Sequence, residues 1–581
     1  MRPAGRSVWA PYARTVELCL GAERVGLEPQ VGGWWAGGPH LQAGDRYAFS
    51  VNGGPPRPDP RSESQPDGVH ESSAVVDHHS HVWNDADWRG FELAGAVLYE
   101  LHVGTFTPAG TFDGVVEHLE HLVALGVDAI EVMPIAEFPG ARGWGYDGVD
   151  LYAPRHAYGG PDGFKRLVDA CHRAGLAVIL DVVYNHLGPA GNYLSEFGPY
   201  FTDRYSTGWG AAVNFDGPDS DGVRRYVVDN ALLWFREYHV DALRLDAADV
   251  IHDHSARHVL EQLGEEVAEL SDALGRPCTL IAESARNDPR FALPVWSGGF
   301  GLHAVWSDDW HHGVHVALTG ETGGRFVDYG DPRLLTAALS AGWAYDGRYS
   351  RFRRRVHGRS PRQLMDHQFI VCVQNHDQVG NRALGERIGH LVPSARARAA
   401  AALLLTTPFT PMLFQGEEWG AATPFLYFTD HSEAKLAASI RKGRRREFST
   451  WGSDPAQVPD PQAEKTFRRS CLDWSEPEAP EHAEMLRWYT RLIALRRAHP
   501  DLGPGKAAVA ADFDAATGLL RVDRGQCLVL VNLGADELAV LAPPFAELLA
   551  ADEAVRSVGR MLALPPDAVA VLTRSPGPEA L

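Results

Sequence analysis

Between residues 95 and 415 one pattern recurs: a short apolar run with a polar or acidic end, then a stretch with helical spacing. The runs are AVLYELHV (96–103), VDAIEVMP (127–134), LAVILDVVYNH (176–186), VDALRLDA (240–247), CTLIAES (278–284), AVWSDD (304–309), FIVCVQNHD (369–377) and TPMLFQGEE (410–418). Runs that are apolar on both faces belong in a parallel sheet covered by helices. Intervening segments such as TFDGVVEHLEHLVALG carry apolar residues at i, i+3, i+4 and i+7, as crossover helices do. Eight such units predict an α/β fold, a closed (β/α)8 barrel. The alternative is a doubly wound sheet, which usually has a Gly-rich turn after its first strand. YELHVGTFTPAG matches that poorly.

The flanks read differently. In residues 1–88, VELCL, RYAFSV and SAVVD alternate or run apolar between GG, PP and DP turns, which predicts an N-terminal β-sandwich. The Pro-rich PPRPDPRSESQPDG (55–68) reads as a long loop. The barrel domain is expected over 89–500. It has a Gly/Asp/aromatic-rich loop at 187–222 and extra helical sequence at 420–480, where RKGRRREF (441–448) reads as an exposed basic helix face. LLRVD, CLVLVNL and AVAVLT predict a second β-sandwich over 501–581.

Composition narrows the partners. A formal charge of −21 repels phosphate backbones and anionic membrane surfaces, so neither nucleic acid nor a membrane is expected. It leaves a neutral ligand unaffected. The six cysteines form no CxxC pair and read as free thiols in a reducing compartment. MRPAGRSVWAPYART lacks an apolar signal core, and AAAALLLTTPFTPMLF (399–414) is shorter than the roughly 20 residues that span a bilayer. A cytoplasmic protein is the expectation. His78, His79 and His81, then His311, His312 and His315, and the i,i+4 pair His254 and His258 are the metal candidates. No HExxH occurs, and the loop after the third run holds no dense set of oxygen ligands. Neither a metal nor a cofactor is expected.

Barrel strand ends converge on one face. Asp181, Asp246, Glu283 and Asp377 lie at four of them, with His186 and His376 beside them. A lone acid there is more often a helix cap, but four together suit acid/base work on an uncharged, hydroxyl-rich substrate. Sugar hydrolysis needs one protonated and one ionised carboxyl group. Arg244 lies two residues before Asp246, on the same strand face, where it would hold that carboxylate ionised. A structural ion pair fits the same spacing.

DVVYNH (181–186), ALRLDAADVI (242–251), LIAES (280–284) and QNHDQ (374–378) resemble, in order and spacing, the shared motifs of the α-amylase superfamily of glycoside hydrolases. By this resemblance Asp246 is the nucleophile, Glu283 the general acid/base and Asp377 the transition-state stabiliser. Arg244, His186 and His376 line the same subsite, Tyr146 is the stacking aromatic, and Asn185 and Asp181 support loop and floor. The implied mechanism is double displacement with retention, with the two reacting carboxyl groups about 5–5.5 Å apart.

Further segments resemble the branch of the superfamily that cuts the α-1,4 bond beside a terminal trehalose unit. Among them are GAVLYELHVGTFTPAGTFDG (95–114), DDWHHGVH (308–315), PMLFQGEEWGAATPF (411–425) and RKGRRREF. The implied partners are maltooligosyltrehalose and related α-glucans, and Trp310, His311 and His312 become candidates for the trehalose subsite. Asp249 stands where relatives generally carry His or Lys. An α-1,4-glucan branching transferase is the alternative reading, and a non-catalytic glucan-binding protein is a third.

Overall fold

The computed structural model describes residues 6–207, 210–450, 456–503, 508–544 and 546–574, without the side chains of 447–450. Its centre is a closed eight-stranded parallel barrel, whose strands follow one another in chain order around the ring. They are β1 (Leu98–Leu101), β2 (Ala129–Val132), β3 (Ala177–Val182), β4 (Ala242–Leu245), β5 (Thr279–Ala282), β6 (Ala304–Trp306), β7 (Phe369–Cys372) and β8 (Thr410–Phe414). Each falls inside one of the eight apolar runs.

Residue parity sorts the barrel into two cores, because successive strand side chains point to opposite faces. Leu98, Ala129, Ala177, Ile179, Ala242, Ile281, Ala304, Trp306, Ile370, Cys372 and Met412 form a closed interior cluster, with Phe91 and Leu93 packed into it. Their neighbours Tyr99, Ile130, Val178, Leu180, Leu243, Leu280, Val305, Val371 and Leu413 belong to the main core that the helices cover. Higher in the interior the same parity places Glu100, Glu131, Asp181 and Arg244, all buried. The barrel's floor is therefore apolar and its upper storey is ionic.

Two antiparallel sheets precede the barrel. One holds Glu23–Gly26, Val16–Leu20, Arg46–Val51 and Ser73–Ala74; the other holds Ser7–Trp9, Trp34–Ala36 and Glu28–Pro29. They are anchored to the barrel domain. Trp9 packs edge-on against Tyr200 at 5.4 Å, and a Cβ at Gly222 would fall 2.2 Å from its ring, so only glycine fits there. Buried Arg61 donates to Tyr152 and Asp229, both at 2.8 Å.

A five-stranded sheet follows the barrel, in the order Val509–Asp514, Leu519–Arg524, Cys527–Asn532, Val569–Arg574, Ala546–Ala551. Its Leu528, Leu530, Ala570 and Leu572 meet Leu562 and Leu564 of a three-stranded sheet. The alternate residues Val529, Val531, Val569 and Val571 join the main core. CLVLVNL is apolar almost throughout because the strand Cys527–Asn532 is buried on both faces.

The 187–222 segment is more ordered than the expected loop. It contains the helix Leu194–Phe197 and a hairpin, Phe201–Thr207 with Gly210–Val213. Among the described residues no helix is long and apolar enough to cross a membrane.

Candidate active site

Asp246 follows β4 directly, and Glu283 follows β5 directly. The ladder runs past the formal strand ends and holds both acids in register: Asp246 N donates to Val182 O (3.0 Å) and Glu283 N to Leu245 O (3.0 Å). Next to Asp246, Ala247 is left-handed (φ 39°, ψ 48°), a conformation costly for a residue with a Cβ. That turn aims its N–H at Glu283 Oε2, 2.7 Å away.

The Arg244 guanidinium gathers the acids. Nη1 donates to Asp181 Oδ2 (2.7 Å) and Asp246 Oδ1 (2.9 Å), and Nη2 lies 2.7 Å from Glu283 Oε2. Its flat face lies 4.3 Å from the Trp306 ring centroid. Asn185 Nδ2 donates to the second oxygen of Asp246 at 2.7 Å, so hydrogen bonds orient both oxygens. Asp377 lies on the short helix His376–Gly380, which Asn375 caps through a bond from Gln378 N (2.8 Å).

Burial pushes Glu283 well above the usual carboxyl range; Arg244 opposes the shift, and Asp246 and Asp377 add to it. The Ala247 N–H donates to Glu283 Oε2 and the Arg244 guanidinium lies beside the same oxygen, which leaves Oε1 available for an acid proton. Asp181 is raised to about 6 by burial, against the pull of Arg244.

A second layer lies beneath. His376 donates through its backbone N–H to Glu100 Oε2 (2.8 Å), and its Nδ1 lies 2.5 Å from Oε1. Burial would lower the His376 pKa, but Glu100 and Asp377 outweigh it and raise the group to about 9. Adjacent Glu131 is driven well up by burial and by Glu100, against the pull of Arg244. The Tyr146 hydroxyl donates to Asp181 Oδ2 (2.7 Å) and lies 2.8 Å from His376 Nε2, while its ring stacks on His376 at 5.2 Å. His186 binds Tyr146 O through Nε2 (2.9 Å), and burial lowers its pKa.

One stability prediction follows from the His376–Glu100 contact. A folded pKa raised from 6.5 to about 9 stabilises the fold fully below 6.5, and that contribution is lost as pH rises through 9. The stability difference between the wild type and Glu100→Gln, from denaturant melts, should be largest near pH 6 and shrink by pH 10. A difference constant across that range would contradict the assignment.

The structure brings together Tyr146, Asp181, Asn185, His186, Arg244, Asp246, Glu283, His376 and Asp377. It does not bring Trp310 or His311 to them. Trp310 is 0% exposed and part of the main core, and His311 is 4% exposed and stacks on His315 of its own helix. The helix Asp308–Thr319 begins at the strand end, and its phase turns both rings inward. His312 is equally buried. Trp144 and Trp419, which also follow strand ends, are buried in packing clusters. Trp310→Phe should therefore cost stability and leave KM for a glucan substrate unchanged, by melts and steady-state kinetics. A raised KM with unchanged melting would restore Trp310 to the cleft.

Sequence reasoning missed Glu100, Glu131 and Asp308. Asp308 accepts from Gln378 Nε2 (3.3 Å), and burial raises it to about 6. It lies near the end of the AVWSDD run, two residues past β6, so position at a strand end marks it as it marks the other acids. Asp249 contacts Arg286: their charged groups lie 3.6 Å apart, and Arg286 Nη2 donates to the Asp249 carbonyl. Among the described residues no group of three His, Cys, Asp or Glu side chains is placed to hold a metal ion.

An acid-rich mouth on a (β/α)8 barrel, with Asp246 and Glu283 gathered on one arginine, has the form of a glycoside hydrolase of the α-amylase class. The α-amylase family profile (alpha amylase, catalytic domain) matches residues 62–205. The malto-oligosyltrehalose trehalohydrolase of Arthrobacter ramosus is 50% identical, over 90% of this chain and 92% of its own. That of Rhizobium sp. (strain M-11) is 48% identical, over 98% of both chains. A solved structure described as a putative alpha amylase from Salmonella typhimurium superposes with a TM-score of 0.90 at 37% identity, covering 98% of this chain and 97% of the other. The chain belongs to the malto-oligosyltrehalose trehalohydrolase family.

Proposed function

We propose that this chain hydrolyses the α-1,4-glucosidic bond next to the terminal trehalose of a maltooligosyltrehalose, releasing trehalose and a shortened maltooligosaccharide. The observation that carries the reading is the single guanidinium of Arg244 touching both Asp246 and Glu283. Such close pairing suits a retaining enzyme, whose carboxyl groups stand about 5–5.5 Å apart, better than an inverting one, which must fit a water between them.

In the first step Glu283 gives the proton on Oε1 to the glycosidic oxygen. An Asp246 oxygen forms a bond to the anomeric carbon, the C–O bond to trehalose breaks, and trehalose leaves protonated. Arg244 and Asn185 orient the attacking carboxylate, which lowers the entropic cost of attack. In the second step Glu283, now ionised, takes a proton from water. The hydroxide adds to the anomeric carbon, the ester to Asp246 breaks, and Glu283 is protonated again. Asp377, on the same rim, faces the positive charge that develops on the ring.

The likeness to trehalohydrolases at 48–50% identity favours hydrolysis over branching, and the presence of all three carboxylates argues against a non-catalytic glucan-binding protein. All six cysteines are free, which suits a reducing cytoplasm. The test is to incubate the protein separately with maltotriosyltrehalose and with maltopentaose. Trehalose and maltotriose should form rapidly from the first, with little cleavage of the second. Equal cleavage of both would make the protein a plain amylase, and new α-1,6 linkages would make it a branching enzyme. Activity needs the proton on Glu283, whose pKa is raised, so kcat/KM should fall as the medium turns alkaline. An acid-only profile, flat on the alkaline side, would assign the proton donor elsewhere.

A further inference from the structure

The basic segment RKGRRREF lies on the helix Ala434–Thr450, where Lys442, Arg445 and Arg446 are exposed as the sequence suggests. Arg444 turns instead toward the barrel mouth. Its Nη1 donates to Asn381 Oδ1 (2.9 Å), its Nη2 to Gly380 O (3.0 Å), and its guanidinium lies 4.6 Å from the Tyr427 ring centroid. Asn381 in turn donates through Nδ2 to Asp377 Oδ1 at 3.0 Å.

The chemistry of these groups fixes a direction. A carboxamide has one accepting end and one donating end, whereas a guanidinium only donates. Arg444 therefore holds the Asn381 oxygen toward itself and the NH2 toward Asp377. Without the guanidinium the amide is free to flip, which would set an oxygen against the Asp377 carboxylate. The bond to Gly380 O also caps the short helix that carries Asp377, at the end where a cation is favourable.

We propose that Arg444 is a positioning residue for the hydrolytic reaction, acting through the Asn381 amide to orient Asp377. The inference rests on the reading of Asp377 as part of the reacting site. The test compares Arg444→Met, Arg444→Lys, Asn381→Ala, Asn381→Asp and the double variant Arg444→Met/Asn381→Ala on maltotriosyltrehalose, with kcat, KM and melting temperature measured for each.

Arg444→Met should lower kcat about tenfold with a smaller change in KM, the effect of a misplaced group rather than a lost one. Arg444→Lys should restore most of the rate. The double variant should be little slower than Asn381→Ala alone, because the arginine reaches Asp377 chiefly through that amide, with the bond to Gly380 O a smaller contribution. Asn381→Asp leaves the helix untouched and sets a carboxylate against Asp377, so it should be slower than Asn381→Ala. Losses that multiply in the double variant would overturn the proposal. So would a normal kcat in Arg444→Met with only a lowered melting temperature, or a normal kcat in Asn381→Asp. Asp377→Asn, assayed alongside, separates the two levels: full activity there would reject the site reading itself, whatever Arg444 does.

Discussion

Asp246→Asn should abolish turnover, with kcat lower by about 10⁴-fold or more, while the melting temperature stays close to that of the wild type. The amide has nearly the shape of the carboxylate, and its oxygen can still accept from Arg244 or Asn185, which now reach Oδ1 and Oδ2. It cannot form the ester to the anomeric carbon. Because what is lost is a bond-making atom rather than a binding contact, KM should change far less than kcat. A variant with more than a tenth of wild-type kcat would remove Asp246 from the role of nucleophile.

Arg244→Met should be damaging in a different way. The guanidinium is fully buried and touches Asp181, Asp246 and Glu283. Methionine fills much of the volume but leaves acids without their cation. Removing one partner from a buried ion pair costs about 3–5 kcal/mol. Asp181, shut from solvent, should carry most of that cost, and the partly exposed Asp246 and Glu283 less. The expected result is a large fall in melting temperature at neutral pH, accompanied by loss of activity. The gap to wild type should narrow as the pH falls toward 5, since Asp181, already near 6 in the wild type, is then neutralised by protons. Arg244→Lys should recover stability only partly, because an ammonium cannot span the acids as a planar fork does. A melting temperature unchanged in Arg244→Met would show that the acids find other compensation.

Much of this was legible in the sequence, for physical reasons that also explain what was not. The eight strands were readable because a barrel strand is buried on both faces, so each appears as an unbroken apolar run. Asp246, Glu283 and Asp377 were readable because loops at one end of such strands must converge. Glu100 and Glu131 were not, since an acid inside a short strand looks like a solvent-facing residue until closure of the ring turns it inward. Trp310 misled for a related reason. An aromatic beside a strand end suggests a sugar platform, but helix phase sends its ring into the core. The insertion after β3 looked like a loop because the pairing of Phe201–Thr207 with Gly210–Val213 leaves little trace in composition. Arg444 showed only as one charge in a basic run, because its partner Asn381 lies 63 residues away.

The covalent intermediate on Asp246 can be trapped directly. Glu283→Gln removes the proton donor and the base but leaves Asp246 in place, and fluoride leaves an α-maltosyl fluoride without help from an acid. Mixing the two should load the enzyme with a maltosyl group that water removes only slowly. Acid quenching, proteolysis and mass spectrometry should then find the added mass on the peptide containing Asp246. An adduct on the peptide containing Asp377, or rapid hydrolysis of the fluoride with no adduct on any peptide, would contradict the assignment of nucleophile and acid.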